Sequence, residues 1–201
     1  MSQFAYNYNP RARRYVDLKT GRFVPERIVR QAVDAVIDKE TQRIRDLSQQ
    51  LADRAISLAQ WQVGMLSILK PLHVAMAMIG NGGAKNMSPA DYGFVGNLLK
   101  EQYLFLRGFV KDIKTGKQAL DGTLLARSAL YTQAARGSHE AMRERVARIG
   151  GARLQRSILG IADHCTGCLQ EARKGWQPIG SLIPIGQRQC KSHCRCTMQY
   201  K

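Results

Sequence analysis

All five cysteines of this 201-residue chain lie in its last 37 positions, as Cys165-x2-Cys168 and then, after 21 residues, Cys190-x3-Cys194-x-Cys196. A C-x2-C pair turns two sulfurs toward one point. A second group brought back by a loop completes the tetrahedron of thiolates that structural Zn2+ prefers. The intervening loop carries "WQPIGSLIPIG", with two prolines and two glycines in eleven residues, as such a return requires. A metal there would staple a module too small to fold on its own core.

Cys165, Cys168 and Cys190 make the better three ligands, with Cys194 or Cys196 as the fourth. Residues two apart on an extended strand share a face, and one metal rarely uses both. His164 and His193 remain substitutes, because imidazole serves zinc as well as thiolate does. The competing reading is a set of reduced thiols, or disulfides formed after release from the cell. A catalytic Cys–His pair is disfavoured, since neighbours in sequence rarely make the nucleophile–base contact. No βαβ pattern surrounds the C-x2-C, which argues against a thioredoxin-like redox role.

The N-terminal "MSQFAYNYNPRARR" has no apolar signal region, and no run of about 18 apolar residues is expected to span a membrane. A reducing cytoplasm is the expected place of synthesis, where clustered cysteines hold metal more often than they pair. The net charge is +16, unevenly spread. Residues 1–30 hold seven basic and two acidic groups, 31–140 hold 13 and 10, and 141–201 hold 11 and three. Basic ends around a balanced middle imply an anionic partner. The candidate phosphate contacts are Arg11, Arg13 and Arg14 near the N-terminus, with Arg143, Arg145, Arg148, Arg153 and Arg156 further on. Phe4, Tyr6, Tyr8 and Tyr15 interleave with the first group, a mix that suits docking on a neighbouring subunit or stacking on bases.

The rest of the chain reads as mainly α. Residues 1–24 form an extended basic arm, 25–160 a helical body and 161–201 the Cys-rich, zinc-ribbon-like module, together an elongated bundle of long helices with two appendages. From Pro25 the apolar residues Val29, Val33, Val36, Ile37, Ile44, Leu47, Leu51 and Leu58 recur at helical spacings, with Pro71 as the bend or end. Residues 60–79 are almost wholly apolar, hence buried on all sides. "GNGGAKN" at 80–86 is a flexible turn, without the Ser/Thr or preceding strand of a phosphate loop. Ser88-Pro89-Ala90-Asp91 starts a second long helix and Asp121 a third, kinked near Arg136-Gly137-Ser138. His73 and His139 read as structural histidines, and no general acid/base pair is visible.

The C-x2-C, the loop "GWQPIGSLIPIG" and the closing "CKSHCRCTMQY" resemble the C-terminal module of bacteriophage head morphogenesis proteins, the minor head proteins of the Mu F-like family. There a helical body precedes a short cysteine module ending in Cys-Arg-Cys, carried here by Cys194-Arg195-Cys196. "RRYVDLKTGRFVP" and "ALYTQAARGSHEA" also resemble phage virion sequence. The chain departs from the family in being short and in having Cys190 where many members carry a histidine nearer the Cys-Arg-Cys. The resemblance implies a virion component made in the host cytoplasm, with no catalytic residues. It would be an oligomer within a symmetric assembly, beside portal, major capsid or neck proteins, in non-specific contact with packaged DNA. The alternative is a small zinc-stabilised nucleic-acid-binding protein. A metal-dependent nuclease ranks below both, because four protein ligands leave no open position to activate water.

Overall fold

The computed structural model describes residues 5–9, 12 and 14–201. Among these the protein is mainly helical, with four long helices, a short fifth and two three-stranded antiparallel sheets. The extended N-terminal segment is extended, and it is paired with itself: β1 (Tyr6–Asn9), β2 (Arg14–Asp17) and β3 (Phe23–Val24) form the first sheet. Tyr15 anchors this sheet by packing into a buried cluster with Val29, Val33, Leu72 and Met76.

Helix α1 (Glu26–Ala52) buries Val29, Val33, Ile37, Thr41, Ile44, Ser48 and Leu51, one residue per turn along a single stripe. The two polar members of that stripe are satisfied across the helix interface. The Thr41 hydroxyl meets that of Thr132 at 2.6 Å, and Ser48 Oγ donates to Ser128 Oγ at 2.9 Å while accepting from Trp61 Nε1 at 3.0 Å. Such small side chains let α1 run close along α4 (Gly122–Ile149). The helix breaks at 53–57, well before Pro71, with Arg54 in the left-handed region (φ 59°). Ser57 then caps α2 (Leu58–Gly80) in a reciprocal box with Gln60.

Pro71, expected to bend or end a helix, lies inside α2. Pro71 and Ser67 are both exposed, so water can reach the carbonyl that the missing N–H leaves unpaired. By length and hydropathy α2 is also apolar enough to cross a bilayer, contrary to the expectation from the sequence. In the fold its Trp61, Met65 and Leu69 are the centre of the largest core cluster, with Phe109 edge-on to Trp61 at 5.3 Å and stacked on Tyr131 at 5.9 Å.

The turn after α2 is not loose. Asn81, Gly82 and Gly83 are buried, and the Tyr8 backbone N–H donates to the Gly82 carbonyl at 2.8 Å. Gly82 has φ 82° and lies against Tyr8, so a side chain there would collide with β1. Ser88 caps α3 (Pro89–Lys114) in a box with Asp91, as the sequence implies. Asp121 caps α4, which runs unbroken through Gly137.

The C-terminal module is built on the second sheet, in the order β5 (Gln177–Pro178), β4 (Leu154–Ile158), β6 (Thr197–Tyr200). Its central strand precedes residue 161, where helical periodicity was expected to end. Helix α5 (Thr166–Arg173) and a 3-10 turn (Lys191–His193) complete it.

Candidate metal centre

The two cysteine groups arrive on different elements. Cys165 caps α5, its sulfur accepting the Cys168 N–H at 3.4 Å, which places both sulfurs of the C-x2-C at the helix N-terminus. Cys190 and Cys194 flank the 3-10 turn, and Cys196 immediately precedes β6. Cys168 Sγ stands 3.5 Å from Cys190 Sγ and 3.7 Å from Cys194 Sγ. A tetrahedral zinc with Zn–S near 2.3 Å has sulfur–sulfur edges of about 3.8 Å, so these separations fit one ion between them. Two sets of sulfurs lie within 4.8 Å of one another, Cys165 with Cys168 and Cys190, and Cys168 with Cys194 and Cys196. The clustered cysteines can therefore bind a metal ion such as zinc, and Cys168 belongs to both sets.

Neither His164 nor His193 is in either set among the described residues, and His164 reaches only the edge of the cluster, at Cys196. His164 Nδ1 lies 3.8 Å from Cys196 Sγ, and its Nε2 lies 2.9 Å from the Gly160 carbonyl. His193 is exposed on the 3-10 turn.

Metal-free, the thiols divide by environment. The Cys168 N–H holds the Cys165 thiol down at about 7. Burial pushes the Cys168 and Cys190 thiols up, and the Cys196 thiol up to about 12. A divalent cation reverses that burial effect, because it takes the thiolate outright. The fold already supplies one positive charge here. Arg188 is only 3% exposed, fixed by the Ile183 carbonyl at 3.0 Å and Ser157 Oγ at 2.9 Å, and it favours the thiolate of Cys168. A guanidinium held in the wall of a sulfur cluster is what an anionic metal–thiolate centre needs. Set against models of protein families, curated proteins and solved structures, the chain matches none.

The centre adjoins the junction between module and body. Arg143 Nη1 on α4 donates to Thr197 Oγ1 at 2.6 Å, and the same guanidinium pairs with Glu140 at 3.4 Å and with Glu26 on α1 at 3.3 Å. Burial pushes the Glu140 carboxyl up, but Arg143 and His139 beside it hold it down at about 2. Asp34 on α1 receives both Arg136 and Arg195. One conspicuous sign of this junction in the sequence was the density of arginines, which reads equally well as a phosphate-binding stripe.

The structure divides that stripe. Arg143 is enclosed by its two carboxylates, Arg145 pairs with Asp91 at 2.8 Å and Arg148 with Glu144 at 2.7 Å. Arg153 is exposed with no acidic partner among the described residues, while Arg156 lies 4.8 Å over the Trp176 ring and bonds Gln199. Lys201 Nζ lies 4.5 Å from the same ring. Trp176 and Lys201 were not among the expected contacts. The strand register, Arg156 opposite Gln199, brings them to one face of the sheet. Arg11 and Arg13 lie outside the described residues, and Arg14 stacks over Phe23 at 4.8 Å.

Proposed function

We propose that this chain is a non-enzymatic structural protein of a bacteriophage head, a minor head or head-morphogenesis component, whose C-terminal module is folded around structural Zn2+. The observation that carries the reading is the gathering of all five thiols into one centre that is tied, through Thr197, to the buried ions of the helical body. The metal in that position does architectural work: it fixes a small module on a long bundle. The resemblance of "CKSHCRCTMQY" and its upstream C-x2-C to phage minor head proteins supplies the biological setting. Exposed Leu104 and Phe105 on α3 support packing against another virion protein.

Elemental analysis of the purified chain tests the metal, with free thiols counted before and after chelation. Zinc with protected thiols is expected; five freely reactive thiols and no metal refute the staple. Co-expression with the major capsid and portal proteins of a phage head tests the setting. The chain should purify with head-like particles, and particles that form without incorporating it refute the virion role.

One observation favours the second reading, a zinc-stabilised nucleic-acid-binding protein. Residues 153–201 hold eight basic and two acidic groups, and Arg156 and Lys201 flank the Trp176 ring. Binding to random duplex DNA with a steep salt dependence fits proximity to packaged DNA, whereas preference for one sequence favours the regulatory alternative.

A further inference from the structure

A cleft of about 920 Å3 opens between α3, α4 and the loop of the module around Pro184. Phe94, Leu98 and Phe105 line it from α3. On the α4 side Leu130 is followed by Ala134, Gly137 and Ala141, spaced by three and four along one helix face, so this wall is low. A side chain at Gly137 would meet nothing within 4 Å. Glycine inside a helix is destabilising relative to alanine, and no contact of the chain with itself calls for one here. What it leaves is room. The rim is apolar and uncovered, with Phe105 64%, Leu104 54% and Leu130 40% exposed. Large apolar side chains gathered around one cleft mark a contact surface, where scattered ones would not.

Charge selects the occupant. The chain holds 31 basic and 15 acidic residues, yet the cleft is lined by three of each, Arg127, Arg136 and Lys191 with Glu101, Glu140 and Glu144. Arg127 and Arg136 are neutralised by Asp112 and Asp34, and Glu140 and Glu144 by Arg143 and Arg148. Glu101 on α3 and Lys191 on the 3-10 turn keep no ion pair among the described residues. Nucleic acid or an acidic protein finds no excess of positive charge in this cleft. A second copy of the chain, repelled elsewhere by its own +16, finds none either.

We infer that two copies of the chain meet at this cleft about a two-fold axis, with Phe105 of each seated over Gly137 of the other. The inference goes beyond the virion reading and rests on neither the zinc nor the phage setting. A two-fold interface needs a projecting side chain and its receptor on one face, and makes every contact twice. The same axis lets Glu101 of each copy pair with Lys191 of the other, so the two charges left over inside one chain are matched between two.

Sedimentation velocity on the full chain, treated with nuclease and kept reduced, tests this from low to high micromolar concentration. A species of twice the 22.5 kDa chain mass is expected. Its dissociation constant should rise at least about 30-fold in Phe105→Asp, which removes the inserted ring, and in Gly137→Gln, which fills its receptor, with the helical circular-dichroism signal unchanged. Association should strengthen as salt is added, because screening relieves the repulsion between two basic chains. A chain that stays monomeric throughout overturns the inference, including one that associates only when a capsid or portal protein is added. A dimer indifferent to both substitutions places the interface elsewhere and also overturns it, and so does association that weakens with salt, the behaviour of copies bridged by an anion.

Discussion

His73 provides a stability test that does not depend on the metal. It sits in α2 at 1% exposure, with Nδ1 2.8 Å from Ser138 Oγ on α4 and no hydrogen-bond partner at Nε2. Burial lowers its pKa from the ordinary 6.5 to about 4. The folded state thus keeps the ring neutral, while the unfolded chain takes up a proton below pH 6.5. Stability from this group is fully present above 6.5, falls as pH drops through the window between 6.5 and 4, and levels off below it. At pH 5 the loss amounts to about 2 kcal/mol, with a slope approaching ~1.4 kcal/mol per pH unit. Urea unfolding at pH 7.5 and 5.0 reads it directly when His73→Asn serves as the reference. Asparagine keeps a hydrogen-bonding atom for Ser138 and cannot titrate, whereas zinc release and the carboxylates affect both proteins alike. The unmutated chain should lose about 2 kcal/mol more than the variant between the two pH values. Equal losses would refute the reasoning, because the ring would then be accepting its proton in the folded core.

Glu140→Gln should destabilise the protein by about 3 kcal/mol, since it strips one of two carboxylates from a buried guanidinium and leaves Glu26 as its remaining counter-charge. Thermal melts should show this at pH 7. With the Glu140 carboxyl held at about 2, the unmutated protein loses its advantage as pH falls from the ordinary 4.5 toward 2. Truncation after Ala152 should retain the helical circular-dichroism signal, whereas truncation after Gly160 should aggregate on size exclusion, because β4 keeps its edges without β5 and β6 to pair them. Equal solubility of the two fragments would count against β4 as part of the module. Gly80→Ala should destabilise by more than ~2 kcal/mol, because the added Cβ would overlap the His139 carbonyl where α2 crosses α4. Gly137→Ala, whose Cβ meets nothing within 4 Å, should instead raise stability by about 0.5–1 kcal/mol, and matched denaturation curves distinguish the two signs.

The parts of this fold legible in the sequence are those governed by local spacing. The stripe Val29, Val33, Ile37, Ile44, Leu51 and the Ser88-Pro89-Asp91 start each lie within a few turns of one another, and both are realised. The break at 53–57 escaped because apolar spacing carries across it from Leu51 to Leu58; the usable signal was the Ser57/Gln60 capping pair. The α1–α4 seam escaped for a different reason. Thr41, Ser48, Ser128 and Thr132 read as polar surface, and only partners 91 and 80 residues away make them interior. The sheet of the module was invisible for the same reason, as β4 pairs with a strand 40 residues later and neither strand alternates clearly. The cysteine spacing indicated a shared centre, but not that Cys168 would stand at its middle or that His164 would be oriented toward it.

The position of the cysteines also explains how a small module is held to a long bundle. Its buried cluster consists of Cys168, Cys194 and Cys196 with Leu182, Ile185 and Met198, so half of its core residues are metal-ligand candidates. Few apolar side chains remain to order a segment of this length, and small domains lacking such a core depend on metals or disulfides. A metal bound there would contribute its binding free energy to folding. Cys194 and Cys196 adjoin Thr197, whose hydroxyl is bonded by Arg143, and Arg195 between them reaches Asp34 on α1. The same few residues therefore close the metal centre and fasten the module to α1 and α4. If the centre holds zinc as proposed, removing it should loosen Thr197 and leave Arg143 and Glu140 facing a less ordered surface, which would link zinc occupancy to the stability of the body as well as of the module.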